Sequence, residues 1–321
     1  MNKKLFESIF IFFSFWTVLG AHIDGWAHHN FPELETFFTP WHAILYSGFF
    51  FSFLFLLIHS VIEHKKGKPW RESLPYGYGS SLIGGFIFLI SGIGDMFWHI
   101  TFGIEESVNA LLNPTHLGLA VGIGLMALGA FRNNLAEKSN KIKITTILSL
   151  ALTLSILSFM VQFGNPIVET YASSQDITQP VRYSQIMGVL GIYFTTMLFM
   201  SFILLMILRW KVPFGAVTLM LTLFIGLASI MEENYVFILG ALLTGLFADL
   251  FIKYKNISPK NNFHLFSFLV PFVFFVLYFL ILSLTKGIGW NVHMWTGAIV
   301  GPGVLSWILS YLFVFCWRCK S

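Results

Sequence analysis

The sequence predicts an all-α protein: a polytopic membrane helix bundle of about ten transmembrane helices, built from repeated helical hairpins. Three observations predict it. The 321 residues are 56% hydrophobic and only 11% charged, whereas soluble domains carry about 25% charged residues. Apolar runs long enough to span a bilayer recur along the whole chain. One constellation of Asp, His, Glu and Pro then occurs twice at the same place relative to those runs, which points to a duplicated hairpin.

The runs fall at about 5–23, 42–62, 78–99, 115–131, 143–163, 183–209, 214–231, 234–252, 263–284 and 292–316. They leave little room for a separate soluble domain, so residues 1–321 read as a single integral membrane domain. Two hairpins, 5–62 and 78–131, carry the repeated motif, and the remaining hairpins fill 143–316. The first run follows Met-Asn-Lys-Lys but lacks a small-residue cleavage site, and motif residues begin at its end. It is therefore expected to be a retained helix rather than a signal peptide.

Loop charge orients the spans. Lys3 and Lys4 precede the first, Lys65, Lys66, Lys68 and Arg71 follow the second, and Arg132, Lys138, Lys141 and Lys143 follow the fourth. Arg209 with Lys211, then Lys253, Lys255 and Lys260, and finally Arg318 with Lys320 continue the alternation, and Arg182 and Lys286 are the exceptions. By the positive-inside rule both termini are cytoplasmic in the cell membrane and the motif loops face outward. The net charge of +4 comes from these short loops, so no nucleic-acid surface is expected; the lipid bilayer is the main partner. Cys316 and Cys319 imply no disulfide framework, and a lone C-x-x-C is a weak metal signal.

The repeated constellation is the functional core of the reading. The first copy runs Asp24, His28, Phe31, Glu35, Pro40, His42, Gly48; the second runs Asp95, His99, Phe102, Glu106, Pro114, His116, Gly122. The spacings Asp→His, His→Phe, His→Glu, Pro→His and His→Gly are identical, and only the Glu→His stretch differs, by three residues. An Asp and a His four apart share a helix face, and a Pro two residues before a His suits the first turn of the next helix. Each copy thus reads as a hairpin with ligands at its outer end. Asp24, His28, His42, Asp95, His99 and His116 are the candidate metal ligands. Glu35 and Glu106 are candidate catalytic groups, as ligands or as general bases on a bound water. The competing reading, wetted polar residues of the headgroup region, fits a lone His better than two matched sets.

Other residues carry weaker signals. His22 and His29 flank the first copy, and His29 has Ile100 opposite it in the second. Glu232, Glu233 and His293 also fall at outer helix ends, and Arg182 could pair with a carboxylate or an anionic group. His59, His64 and His264 lie with the lysines and read as interfacial. The stretches Pro180-Val-Arg182 to Gly188 and Asn234 to Gly240 hint at decayed copies.

Imidazole with carboxylate suits copper, zinc, iron or manganese, and thiolate sites are excluded at that face because no Cys is there. Two function classes compete: a metal-dependent oxidoreductase (a hydrolase is second choice) acting on a lipid or small apolar substrate, and a metal or small-solute transporter. A transporter usually needs ionisable positions near mid-membrane; Asp249 is the clearest one, near the inner end of its span. A non-catalytic subunit or assembly factor of a membrane complex is the third reading.

The Asp-x-x-x-His…His arrangement resembles a metal site in the membrane C subunit of the copper-dependent membrane monooxygenases, the particulate methane and ammonia monooxygenase family. That pattern is Asp, three residues, His, twelve residues, His, and Asp24-Gly-Trp-Ala-His28 matches its first half. Here thirteen residues separate His28 from His42, twelve separate His29 from His42, and sixteen separate His99 from His116. The resemblance covers under a tenth of the chain, and the duplication and ten-span layout depart from that family. It implies copper as the favoured metal, with zinc or iron as alternatives. The strings Asp24-Gly-Trp-Ala-His28 and Phe37-Phe-Thr-Pro-Trp-His-Ala-Ile-Leu-Tyr-Ser-Gly48 also resemble an uncharacterised family of multi-pass prokaryotic membrane proteins, which implies no activity.

Overall fold

A computed structural model describes residues 1–31, 38–103, 107–174, 181–255, 257–258 and 261–318, without the side chains of residues 107 and 318. Among the described residues the regular structure is helical, with isolated β-bridges but no strand. Eight helices among the described residues are long and apolar enough to cross a membrane, which is the signature of a multi-pass membrane protein. The chain forms two compact units: Met1–Ser139 with Lys143–Met160, and Asn140–Ile142 with Val161–Ser321.

The first unit contains α1 (Lys3–Asn30), α2 (Pro40–Lys65), α3 (Tyr78–Phe102), a short α4 (Ser107–Leu112), α5 (Pro114–Ala127), α6 (Gly129–Ala136) and α7 (Ile144–Phe159). α1 pairs with α2 and α3 with α5, as the two motif-bearing hairpins require. α7 packs on α1, α5 and α6 and is buried on nearly every face. Its 16 residues rise about 24 Å, short of the roughly 30 Å hydrocarbon core. α9 (Ala216–Ile230), with 15 residues, is equally short. With α5 and α6 taken together as one span (Pro114–Ala136), eight of the ten expected spans are full-length, and the other two are shorter helices.

Near the start of α1, buried Glu7 accepts hydrogen bonds from Asn133 Nδ2, from Thr145 Oγ1 (3.1 Å) and from Lys143 Nζ (3.1 Å). Lys143 also reaches Glu137 Oε1 at 2.7 Å, as does Lys3. This network clamps the ends of α1, α6 and α7 together far from Asp24. Burial alone would push the Glu137 carboxyl up, but the hydrogen bonds and charges of Lys143 and Lys3 hold it below the usual carboxylate range.

The second unit contains α8 (Val181–Arg209), α9, α10 (Phe237–Lys255), α11 (Phe263–Thr285) and α12 (Val292–Arg318). α9 pairs with α10, α11 with α12, and α8 packs on α12 and α11. Asp249, the intramembrane carboxylate noted in the sequence, caps a neighbouring helix. Its oxygens accept from Val217 N (3.2 Å), Thr218 N (3.0 Å) and Thr218 Oγ1 (2.6 Å) at the start of α9. That satisfies donors which a helix N-terminus leaves open. The segment 161–174 forms no long helix, yet residues 165–168 and 171–173 within it are buried. Tyr278 OH donates to Pro166 O at 3.1 Å, Asn234 Nδ2 to Ile167 O at 2.8 Å, and Lys286 Nζ to Asn234 Oδ1 at 2.8 Å. Such side-chain bonds are what irregular backbone needs when buried among apolar helices.

Candidate metal centre

The two copies of the motif build two like-sized clusters at the ends of their helix pairs. Asp24 and His28 stand one turn apart near the end of α1. Thr39 caps α2, its Oγ1 accepting the His42 amide at 3.1 Å, and Pro40 opens the helix. This places His42 in the first turn, facing Asp24. In the second copy Asp95 and His99 stand one turn apart on α3, Asn113 caps α5, Pro114 opens it, and His116 follows in its first turn.

In the first set His28 Nε2 and His42 Nε2 lie 3.9 and 3.5 Å from Asp24 Oδ2. In the second, His99 Nε2 is 3.5 Å from Asp95 Oδ2 and His116 Nε2 is 3.1 Å from Asp95 Oδ1. One ligand atom from each of the three residues lies within 4.8 Å of the others in both sets. Bonds of about 2.0–2.1 Å to a tetrahedral ion put ligand atoms roughly 3.3 Å apart. The observed separations bracket that value, so small side-chain rotations would bring each set around one ion.

Outer bonds aim the rings. His99 Nδ1 faces the carbonyl of Gly103 at 3.3 Å, and His116 Nδ1 faces the carbonyl of Ala110. Gly103 ends α3 at φ 83°, a left-handed conformation that favours glycine, and so can turn its carbonyl back to the ring. His42 Nδ1 is 3.1 Å from Thr39 Oγ1. Thr115 Oγ1 donates to Asp95 Oδ1 at 2.7 Å. Trp41 occupies the equivalent place in the first copy, and Asp24 Oδ1 is buried with no hydrogen-bond partner among the described residues.

The glycine six residues after each second histidine sets the register of the pair. A Cβ at Gly48 would lie 2.7 Å from Thr17 N, and one at Gly122 would lie 2.8 Å from Gly84 O and 2.9 Å from Phe88 N. Thr17 and Phe88 each stand seven residues before the motif aspartate. Both hairpins therefore cross in backbone contact two turns below their ligands, and the duplication seen in the sequence is a duplication of geometry.

The two sets share the first unit and sense each other: Asp24 interacts electrostatically with Asp95, His99 and His116. Tyr46 stands between them. It follows His42 by one turn, with ring centroids 6.2 Å apart. Its hydroxyl lies 3.1 Å from where a Cβ at Gly92 would be, one turn before Asp95. Ala120 is its counterpart in the second copy, so a search for repeated residues passes over it; its spacing of four from His42 was the available signal.

The candidate ligands Asp24, His28, His42, Asp95, His99 and His116 are thus brought together in two threes. Glu35 and Glu106 lie outside the described residues. His22 joins neither set: its Nδ1 bonds Val18 O at 2.9 Å and its ring meets Phe159 edge-on, a buried structural role. His29 is exposed. Arg182, Glu232, Glu233 and His293 belong to the second unit. His64 stacks on Trp70, His264 stacks on Tyr311, and His59 packs against Phe6. Gly188 and Gly240 meet the side chains of Trp290 and Ile281 rather than a helix backbone, unlike Gly48 and Gly122.

No family model, curated protein or solved structure matches the chain. The functional reading therefore rests on these side chains and their geometry.

Proposed function

We propose that this integral membrane protein binds two transition-metal ions, one in each Asp-His-His set, and acts as a metal-dependent membrane oxidoreductase. Copper is favoured, with zinc and iron as alternatives. One observation carries the metal reading. His99 and His116 turn Nδ1 to backbone carbonyls, which only accept, so the proton sits on Nδ1. In the neutral ring Nε2 is then a bare lone pair, and it faces a carboxylate oxygen 3.1–3.5 Å away. Two acceptors held face to face need a positive charge between them, either a second ring proton or, as this reading has it, a metal ion. Outer hydrogen bonds that fix a histidine tautomer in this way are the usual support of metal-binding imidazoles.

Three protein ligands per ion leave at least one coordination position open. Closed structural sites fill all four, whereas catalytic sites keep one for water or substrate. Two imidazoles with one carboxylate is also a ligand set of oxygen-activating metal centres. Between Glu7 and His22, α1 carries no ionisable residue, which favours a reaction site over an ion pathway. Loop charge supports a centre at the extracytoplasmic face, within reach of a small apolar or lipid substrate or of a membrane-complex partner. Glu35 and Glu106 are the proposed proton acceptors for a metal-bound water.

Metal analysis of the detergent-purified protein tests this. Two equivalents of metal are expected, with none in a His42→Ala, His116→Ala double variant that keeps its gel-filtration profile. Undiminished metal in that variant would refute the reading.

A further inference from the structure

We infer that the two sets divide the work. The Asp95 set is a resident site that holds its ion tightly. The Asp24 set is an exchangeable site, where a small protic ligand such as water or a substrate hydroxyl binds the ion and donates to Asp24 Oδ1. The inference rests on the two-metal reading above and adds their inequality.

The ligand sets are the same, so the difference lies in what holds them. Asp95 is 1% exposed, and its Oδ1 accepts from Thr115 at 2.7 Å. Thr115 Oγ1 is in turn 2.7 Å from Asn113 Oδ1, the cap of α5. The carboxylate is thus locked to the helix that carries His116. Both imidazoles of this set are tied to backbone carbonyls. A site so arranged needs little reordering to receive an ion.

The Asp24 set is looser. Trp41 replaces Thr115, so the hydroxyl that Asp95 receives from α5 has no counterpart at that position of α2. Asp24 Oδ1 is a buried acceptor with no partner among the described residues, and such an atom is costly to leave unpaired. A water or hydroxyl on the ion is the donor that would satisfy it. His28 sits farthest from its carboxylate, at 3.9 Å, and Asp24 is 13% exposed where Asp95 is 1% exposed, which gives an incoming ligand a way in.

Titration of chelator-stripped protein with Co2+ or Zn2+ against a competing chelator tests the inequality. Two binding steps at least about tenfold apart are expected, because outer hydrogen bonds to metal ligands are each worth about 10–100-fold in affinity. Asp95→Asn should remove the tight step and Asp24→Asn the weak one. Thr115→Val should weaken the tight step alone, and Thr115→Ser should restore it. Two steps of equal affinity, or loss of the tight step in Asp24→Asn, would overturn this inference and leave the two-metal reading standing. Absence of binding in the unaltered chain would remove both.

Discussion

Replacing Gly48 by alanine should weaken the first candidate metal set from a distance. The new Cβ would stand 2.7 Å from Thr17 N and 2.9 Å from Thr17 Cα, whereas carbon atoms in contact sit about 3.5–4.0 Å apart. α2 must therefore move off α1 by about 1 Å, since the obstacle is backbone. Gly48 lies six residues from His42, or about 9 Å along the helix, so most of that shift reaches the ligand. The His42–Asp24 separation of 3.5 Å becomes about 4.5 Å. Two ligands of one ion, each bonded at about 2.0–2.1 Å, can stand at most about 4.2 Å apart. The first set then needs a larger side-chain rearrangement to close and should hold its ion more weakly, at an overpacking cost of about 1–3 kcal/mol in stability. Gly122→Ala should do the same to the second set, through Gly84 O and Phe88 N. Gly124, with nothing within 4 Å of its Cβ position, is the control on the same helix, and Gly124→Ala should be neutral or slightly stabilising. Metal content and thermal unfolding of the three purified variants decide the matter. If Gly48→Ala keeps two metals and melts like Gly124→Ala, the helix crossing does not position the ligands and the reasoning fails.

Glu7→Ala should cost about 3–5 kcal/mol, because it strands buried donors on Asn133 and Thr145 and removes a partner of Lys143; Glu7→Gln should cost less, and the melting temperature in detergent reads both. The Glu137 carboxyl is held below its unfolded value, so its contribution is present above about pH 4.3 and is lost as pH falls through the folded value. Melting curves of Glu137→Gln and the parent should therefore differ near neutrality and converge in acid; curves that stay parallel would exclude the ion pairs with Lys3 and Lys143 as the cause. Asp249→Ala should uncap α9, speeding hydrogen exchange at the amides of Val217 and Thr218 and costing about 2 kcal/mol. Unchanged exchange there would show that the carboxylate does not cap the helix.

The membrane bundle is legible in the sequence because lipid-spanning helices demand length and apolarity together, and both survive without any partner. The site is legible for a different reason. Asp24 with His28 and Asp95 with His99 each sit one turn apart, and Pro40 and Pro114 fix where the next helix starts, so local rules alone aim all six ligands. What the sequence hides is decided by packing. The run 143–163 reads as one span, yet α7 ends at Phe159. The apolar residues beyond it, Ile167 and Val168, are buried in the second unit. His22 looks like a further ligand until its ring is found against Val18 and Phe159. Tyr46 breaks the repeat and so escapes it. The inequality of the two sets turns on one position, Trp41 against Thr115, which matters only once the helices are placed.

The central claim is that an ion sits in each Asp-His-His set. Anomalous difference density, collected at the absorption edge of whichever metal purifies with the protein, tests it most directly. Two peaks are predicted, one within about 2.0–2.2 Å of ligand atoms from Asp24, His28 and His42, the other equally close to Asp95, His99 and His116. A metal-loaded crystal with both sets free of anomalous density, or with its peaks elsewhere in the chain, would contradict the account.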